Sequence, residues 1–378
     1  MAAEPSYLKR INPLGDSELI IAGRNGDIDK LREIVHDLIH QNGYSRDKVR
    51  HIFAHHSNGL GKTVLHEAAQ NCHSECVRYL VGNGDEGDSS SSVGMDPDGL
   101  KQGDWTPLML ACTKNNLDVM KTLVVAGASL NLRNKDGWTP FHVACREGHE
   151  KIIAFFLDLP SQEVWHTTSK NGRTPMHTAA LYGRESVVNL LLTKTHSLLD
   201  KTDSCGSTPL MDALRTGHIG IAKRLIAAGA DIHKCDAIGR HLIHLAAQAG
   251  QNESIIFLYD LFVNKDKDAA SSSPEGVERR NPVLMLTDDQ SRSSAAHFAA
   301  KEGHISTLKL LKSYGADLGM RDSKNRTPLH MAASSQRAEC IKYLLTENVK
   351  DSCDSDGICA SQLARKDEVK RSFEEYAV

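Results

Sequence analysis

With 378 residues, 45 Lys and Arg against 48 Asp and Glu and a net charge of −3, the chain has no cationic excess of the kind that marks nucleic-acid or anionic-membrane surfaces. Its longest apolar runs, such as IIAFFLDL, stop far short of the ~20 residues a membrane helix requires, and the N-terminal segment lacks the apolar core of a secretory signal. An odd count of nine cysteines without such a signal points to reduced thiols. The expectation is a monomer in the cytoplasm or the nucleus, with no bound metal or cofactor and no direct contact with nucleic acid.

Taken from the N-terminus, SELIIAGRNGDIDKLREIVHDLIH has the shape helix, Gly-Asp, helix, and residues 38–62 are irregular. A tetrad related to T-P-L-H then begins at Thr63, Thr106, Thr139, Thr174, Thr208, His241, Ser294 and Thr327, in steps of 43, 33, 35, 34, 33, 53 and 33. Threonine caps a helix with its hydroxyl and proline fits the first turn, where its missing N–H costs nothing. Alanines after the histidine keep this first helix thin, and Gly148 or Gly183 ends it. Apolar residues at helical spacing in EKIIAFFLDL, ESVVNLLLTK, ISTLKLLKSYG and AECIKYLLTE predict a second helix, and NKDG, SKNG and DSKN predict projecting turns.

The motif and the step near 33 resemble the ankyrin repeat. The expected fold is an all-α repeat, an ankyrin-repeat solenoid of about 9–10 repeats counting caps. It runs as one array over residues 1–378: a cap and irregular repeat at 17–62, repeats over 63–355, and a degenerate C-terminal cap at 356–378. The two long steps are explained by Ser-, Gly- and charge-rich insertions near 84–103 and 264–281, expected to loop out between repeats.

DGWTPFHVACREGHE puts His142, Cys145 and His149 at nearly the spacing of a zinc site. In the parallel stretches, however, Cys145 is replaced by Ala180, Ala300 and Ala333. A ligand that turns into alanine while its frame repeats reads as a packing residue. The tetrad histidines, 66, 142, 177, 244, 297 and 330, read as hydrogen-bonding posts between turns. No nucleophile with its base and no phosphate loop stands outside this grammar, so the chain reads as a binding protein rather than an enzyme.

The candidate interface centre is Trp105 and Trp138, each just before a Thr-Pro pair, with Trp165 in the following stretch; the alternative is that each indole covers its own turn. Arg133, Arg146, Glu147, Tyr182 and Asp212 are expected around them, on turns or the exposed side of first helices. Their mixed charge suits a protein partner.

GDWTPLMLACTKNNLDVM, NKDGWTPFHVACREGHE, GRTPMHTAALYGRESVVNLLL, CGSTPLMDALRTGHI, AAKEGHISTLKLL and SYGADLGMRDSKNR resemble the ankyrin repeat domain-containing protein 16 family, through most of Leu65 to Lys350. The resemblance implies binding to the catalytic domain of alanyl-tRNA synthetase and uptake of misactivated serine on lysine side chains. By position, the family's acceptor lysines fall on Lys135, on Gln102 beside Lys101, and on His166 four residues before Lys170. Lys135, Lys101 and Lys170 are therefore the candidate acceptors.

Overall fold

The computed structural model describes residues 5–9, 15–82, 92–159, 162–269 and 282–375. Among the described residues there are helices and turns but no β-strand, only the single-pair bridges Lys101–Trp105, Thr287–Ser294 and Cys353–Cys359. The chain forms two compact units, Met1–Leu198 and Leu199–Val378.

In the first unit the helices come in antiparallel pairs: Glu18–Asn25 with Ile28–His40, Val64–Gln70 with Ser74–Val81, Pro107–Ala111 with Leu117–Val125, Pro140–Glu147 with Glu150–Asp158, and Pro175–Leu181 with Glu185–Lys194. An additional helix, Arg46–His55, occupies the irregular stretch. The second unit pairs Pro209–Arg215 with Ile219–Ala227, Leu242–Gln248 with Asn252–Ala269, Ala295–Glu302 with Ile305–Ser313, and Pro328–Ser334 with Ala338–Thr346. A single 3₁₀ turn, Ala360–Leu363, and the helix Asp367–Glu374 follow.

First helices start alike because their caps are alike. Thr63, Thr139, Thr174, Thr208, Ser294 and Thr327 each form a reciprocal capping box with the residue three positions on. Where that residue is histidine its ring is buried. Nδ1 accepts the backbone N–H of the cap residue, at 3.3 Å in His66, 3.4 Å in His142, 3.0 Å in His244 and 3.1 Å in His297. An accepting Nδ1 fixes the proton on Nε2. Nε2–H then donates to a carbonyl of the following repeat's turn: His66 to Trp105 (3.2 Å), His142 to Arg173 (3.1 Å), His244 to Leu286 (3.0 Å), His297 to Arg326 (2.9 Å) and His330 to Ile358 (3.3 Å). Burial pushes His66, His142 and His244 down to about 4 and also lowers His297. Met109 and Met211 occupy the same position in their repeats and are buried there.

Small residues and second helices complete the core. Ala144, Ala179, Ala180, Ala246 and Ala247 are fully buried, and the edge of Phe141 meets Phe156 at 5.5 Å. On the second helices a cation of one repeat lies over an aromatic ring of a later one: Arg32 over Tyr79 at 5.9 Å and Lys121 over Phe155 at 5.9 Å in the first unit, Lys223 over Phe257 at 5.8 Å and Lys309 over Tyr343 at 5.6 Å in the second. Gly148 and Gly303 end their helices with φ of 84° and 94°. Cys72 and Gln336 adopt the same left-handed conformation without being glycine, at φ 69° and 57°.

One expectation needs correction. The insertion near 84–103 does not loop out along its whole length: residues 83–91 lie outside the described residues, but Val93 and Met95 are buried and their amides donate to Tyr79 O (3.0 Å) and Leu80 O (2.8 Å). Two apolar residues in alternation gave this stretch something to bury. Of the insertion near 264–281, residues 264–269 extend the helix Asn252–Ala269 and 270–281 lie outside the described residues. Cys353 and Cys359 flank the turn Asp354–Ile358, with their Cα atoms 4.0 Å apart. Cys72, Cys76, Cys112, Cys145, Cys205, Cys235 and Cys340 are free.

Candidate partner-binding face

Each projecting turn is closed by a backbone bond from its first to its fifth residue: Asn58 to Lys62 (3.0 Å), Lys101 to Trp105 (3.0 Å), Asn134 to Trp138 (3.0 Å) and Ser169 to Arg173 (2.9 Å) in the first unit. Short polar side chains at the first position organise the turn from within. Asn134 Oδ1 accepts the amides of Asp136 (3.0 Å) and Trp138 (2.9 Å), and Asn58 Oδ1 those of Leu60 and Lys62 (both 3.0 Å). In the second unit Asp203, Asp236, Asp322 and Asp354 do the same. The recurrent Asn or Asp opening NKDG, DSCG and DSKN was the available signal for this role. Lys101 is the departure from it.

Successive tips are tied to one another through the backbone. Lys135 N donates to Gly103 O and Lys170 N to Asp136 O, each at 3.1 Å. Gly137, at φ 77°, permits the second approach, since a Cβ there would stand 2.5 Å from Lys170 N. Lys135 and Lys170 thus occupy equivalent, exposed positions on neighbouring tips. Trp105 and Trp138 are half-buried at the bases of theirs, each under a cation: Lys101 Nζ lies 5.3 Å from the Trp105 ring centre and the Arg146 guanidinium 5.4 Å from that of Trp138. Arg146 also pairs with Glu147. Burial, reinforced by the nearby charge of Lys62, lowers the pKa of Lys101. Arg133 is exposed, and its guanidinium donates to the carbonyls of Gly137 and Thr168. Tyr182 is 43 % exposed.

Trp165 and Asp212 do not stand on this surface, contrary to expectation. Trp165 is only 6 % exposed: it ends the 3₁₀ turn Gln162–Trp165, which packs on the helix Glu150–Asp158, instead of preceding a Thr-Pro pair as the other two indoles do. Asp212 is fully buried and paired with Arg215 at 2.7 Å. It occupies the register of Leu110, Val143 and Leu245, an inward position that those apolar residues already disclosed.

The groups of the stretch that imitates a zinc site are each engaged elsewhere. His142 is held by Thr139 and the Arg173 carbonyl, and His149 Nε2 contacts the Thr113 carbonyl at 3.3 Å. Cys145 is wholly buried, and burial pushes its thiol well above the ordinary range. Burial of the thiol and hydrogen bonds of both rings to backbone carbonyls of neighbouring repeats account for all three.

The family model described as ankyrin repeats (3 copies) matches four stretches, residues 19–134, 108–201, 194–271 and 278–362. The chain belongs to the ankyrin-repeat family. It is 29 % identical to inversin of Homo sapiens over 166 residues, covering 40 % of this chain and 16 % of inversin. It is 29 % identical over 228 residues to the NF-kappa-B inhibitor cactus of Drosophila yakuba (57 % and 39 %), and 24 % identical over 238 residues to the phosphocholine transferase AnkX of Legionella pneumophila (62 % and 24 %). The chain thus spans well under half the length of these ankyrin relatives. Ankyrin repeats mark it as a protein-interaction scaffold, and among the described residues no helix is long and apolar enough to cross a membrane.

Proposed function

We propose that the chain is a cytoplasmic or nuclear ankyrin adaptor that docks on the catalytic domain of alanyl-tRNA synthetase through the tips bearing Trp105 and Trp138, and that it accepts misactivated serine on the lysines there. The observation that carries the reading is the placement of Lys101, Lys135 and Lys170 on three consecutive tips tied by backbone bonds, beside two half-buried indoles. In the acceptor step a neutral lysine amine attacks the carbonyl carbon of seryl adenylate. An amide C–N bond forms, the mixed-anhydride C–O bond to AMP breaks, AMP leaves, and the amine proton passes to water. An unshifted lysine is neutral about once in a thousand molecules near pH 7.4; the lowered pKa of Lys101 enlarges that fraction, and docking beside the adenylate raises the effective concentration. Each lysine is consumed, so the protein acts stoichiometrically and does not turn over.

Isothermal titration against the synthetase's catalytic domain tests the docking. Saturable binding that Trp105→Ala/Trp138→Ala weakens supports it, and no heat at tens of micromolar rejects it. Serine capture is read by mass spectrometry, with Lys101→Arg/Lys135→Arg/Lys170→Arg expected to lose the seryl adducts. An adaptor for a different protein, using the same face, is the second reading. It is favoured by the fact that Lys135 alone falls directly on an acceptor position, and by a relative that is named an inhibitor of NF-kappa-B.

A further inference from the structure

The tips of the first unit carry a charge that the chain as a whole does not. In the stretches 101–105, 133–138 and 168–173, Lys101, Arg133, Lys135, Lys170 and Arg173 stand against the carboxylates of Asp104 and Asp136, whereas the full chain has a net charge of −3. Among the described residues no ion pair engages Lys101, Lys135 or Lys170. The corresponding turns of the second unit, 203–207, 236–240, 322–326 and 354–358, open on aspartate, and Arg240 and Arg326 are paired with Asp236 and Asp322 at 2.7 and 2.8 Å.

Apolar surface lies next to these cations. Leu100 is 56 % exposed, and Trp105 and Trp138 each show part of an indole under a cation. A carboxylate arriving here meets an ammonium or guanidinium group, while an aliphatic neighbour on the same segment meets an indole. Because the tips are joined by Lys135 N to Gly103 O and Lys170 N to Asp136 O, the cations are held in fixed order along one edge, which lowers the ordering cost of binding.

We infer that the joined tips 101–105, 133–138 and 168–173 dock an acidic protein segment in which carboxylates alternate with apolar side chains. This rests on the reading of the face as partner-binding and specifies the partner's chemistry. A protein segment fits better than a nucleic acid because Asp104 and Asp136 interrupt the cations, and a continuous phosphate chain would have to pass over both.

The test uses the full chain and a short fluorescein-labelled peptide of alternating glutamate and leucine, followed by fluorescence anisotropy at low salt. Binding is expected, weakened about tenfold or more by Lys135→Glu/Lys170→Glu, weakened less by Lys135→Gln/Lys170→Gln, and left unchanged by Lys324→Glu on a second-unit tip. Circular dichroism checks that each variant is folded. No binding, an equal loss in Lys324→Glu, or tighter binding of a single-stranded oligodeoxynucleotide of equal charge overturns the inference. Titration of the synthetase's catalytic domain at low and high salt separates this from the preceding reading. Synthetase binding without salt dependence leaves that reading standing and sinks the acidic contact. Peptide binding without synthetase binding does the reverse.

Discussion

Acidification from pH 7.5 to 5.0 removes stability through the capping histidines. His66, His142 and His244 have an ordinary value of 6.5 and are held at about 4 by burial. In the unfolded chain each ring takes up a proton as the pH falls through 6.5, whereas the folded ring stays neutral until about 4. The unfolded state therefore binds more protons throughout that window, and folding stability falls as pH falls. At pH 5.0 the gap from 6.5 is about 1.5 units, or ~2 kcal/mol per ring and ~6 kcal/mol for the three together. His66 and His142 place ~4 kcal/mol of that loss in the first unit and His244 ~2 kcal/mol in the second. Urea unfolding at constant ionic strength measures it. All three tryptophans lie in the first unit, so fluorescence follows that unit alone while circular dichroism follows both. His142→Gln is expected to be less stable at pH 7.5 yet to show a shallower pH dependence, by close to one proton. Midpoints that stay flat from pH 7 to 5, or a slope unaltered in His142→Gln, refute the reasoning.

Trp165→Ala is expected to cost about 3–5 kcal/mol, and Trp105→Ala or Trp138→Ala distinctly less, in the order of their burial; urea midpoints decide. Gly137→Ala should destabilise more than Gly127→Ala by the same measurement. Both have positive φ, 77° and 91°, but only at Gly137 would the new Cβ strike backbone, at Lys170 N, whereas nothing lies within 4 Å of Gly127. With a chromogenic disulfide reagent at pH 7.5, exposed Cys205 is expected to react fast, and fully buried Cys112 and Cys145, whose thiols burial pushes upward, only on unfolding. Rapid labelling of Cys145 in the folded protein would contradict its assignment to the core.

What the sequence disclosed was what is decided locally. Thr-Pro at a helix start, histidine three residues after the cap and alanine beyond it are each sufficient for their own geometry, so the helix pairs and the scaffolding role of His142 could be read directly. Burial decided by a neighbouring repeat was harder to see. Asp212 looks like a surface acid until it is set in register with Val143 and Leu245, and Trp165 looks like Trp138 until its lack of a following Thr-Pro is noticed. Val93 and Met95 sit in a stretch whose serines and glycines outweigh them in composition. At Cys72 and Gln336 the left-handed ends occur without the glycine that signals them elsewhere. Gln336 is held there by its own side chain, which donates to Ala333 O (2.6 Å) and Leu363 O (2.9 Å) and accepts from the amides of Arg365 and Lys366 (both 2.9 Å).

The bond from a buried imidazole to the carbonyl of the turn after it makes the stack a polar object in the geometric sense: each of the repeats of His66, His142, His244, His297 and His330 holds the donor, and its successor holds the acceptor. Shortening such an array is therefore not symmetric. Removing a leading repeat strands a carbonyl, which water satisfies, whereas removing a trailing one uncovers a ring and restores its freedom to take a proton. Among the described residues of the second unit the last acceptor is Ile358 O, in a turn followed by a 3₁₀ turn and one helix. That remnant has lost the tetrad and kept the one atom its predecessor requires, so a shortened chain that ends before Ile358 leaves the Nε2–H of His330 without its carbonyl.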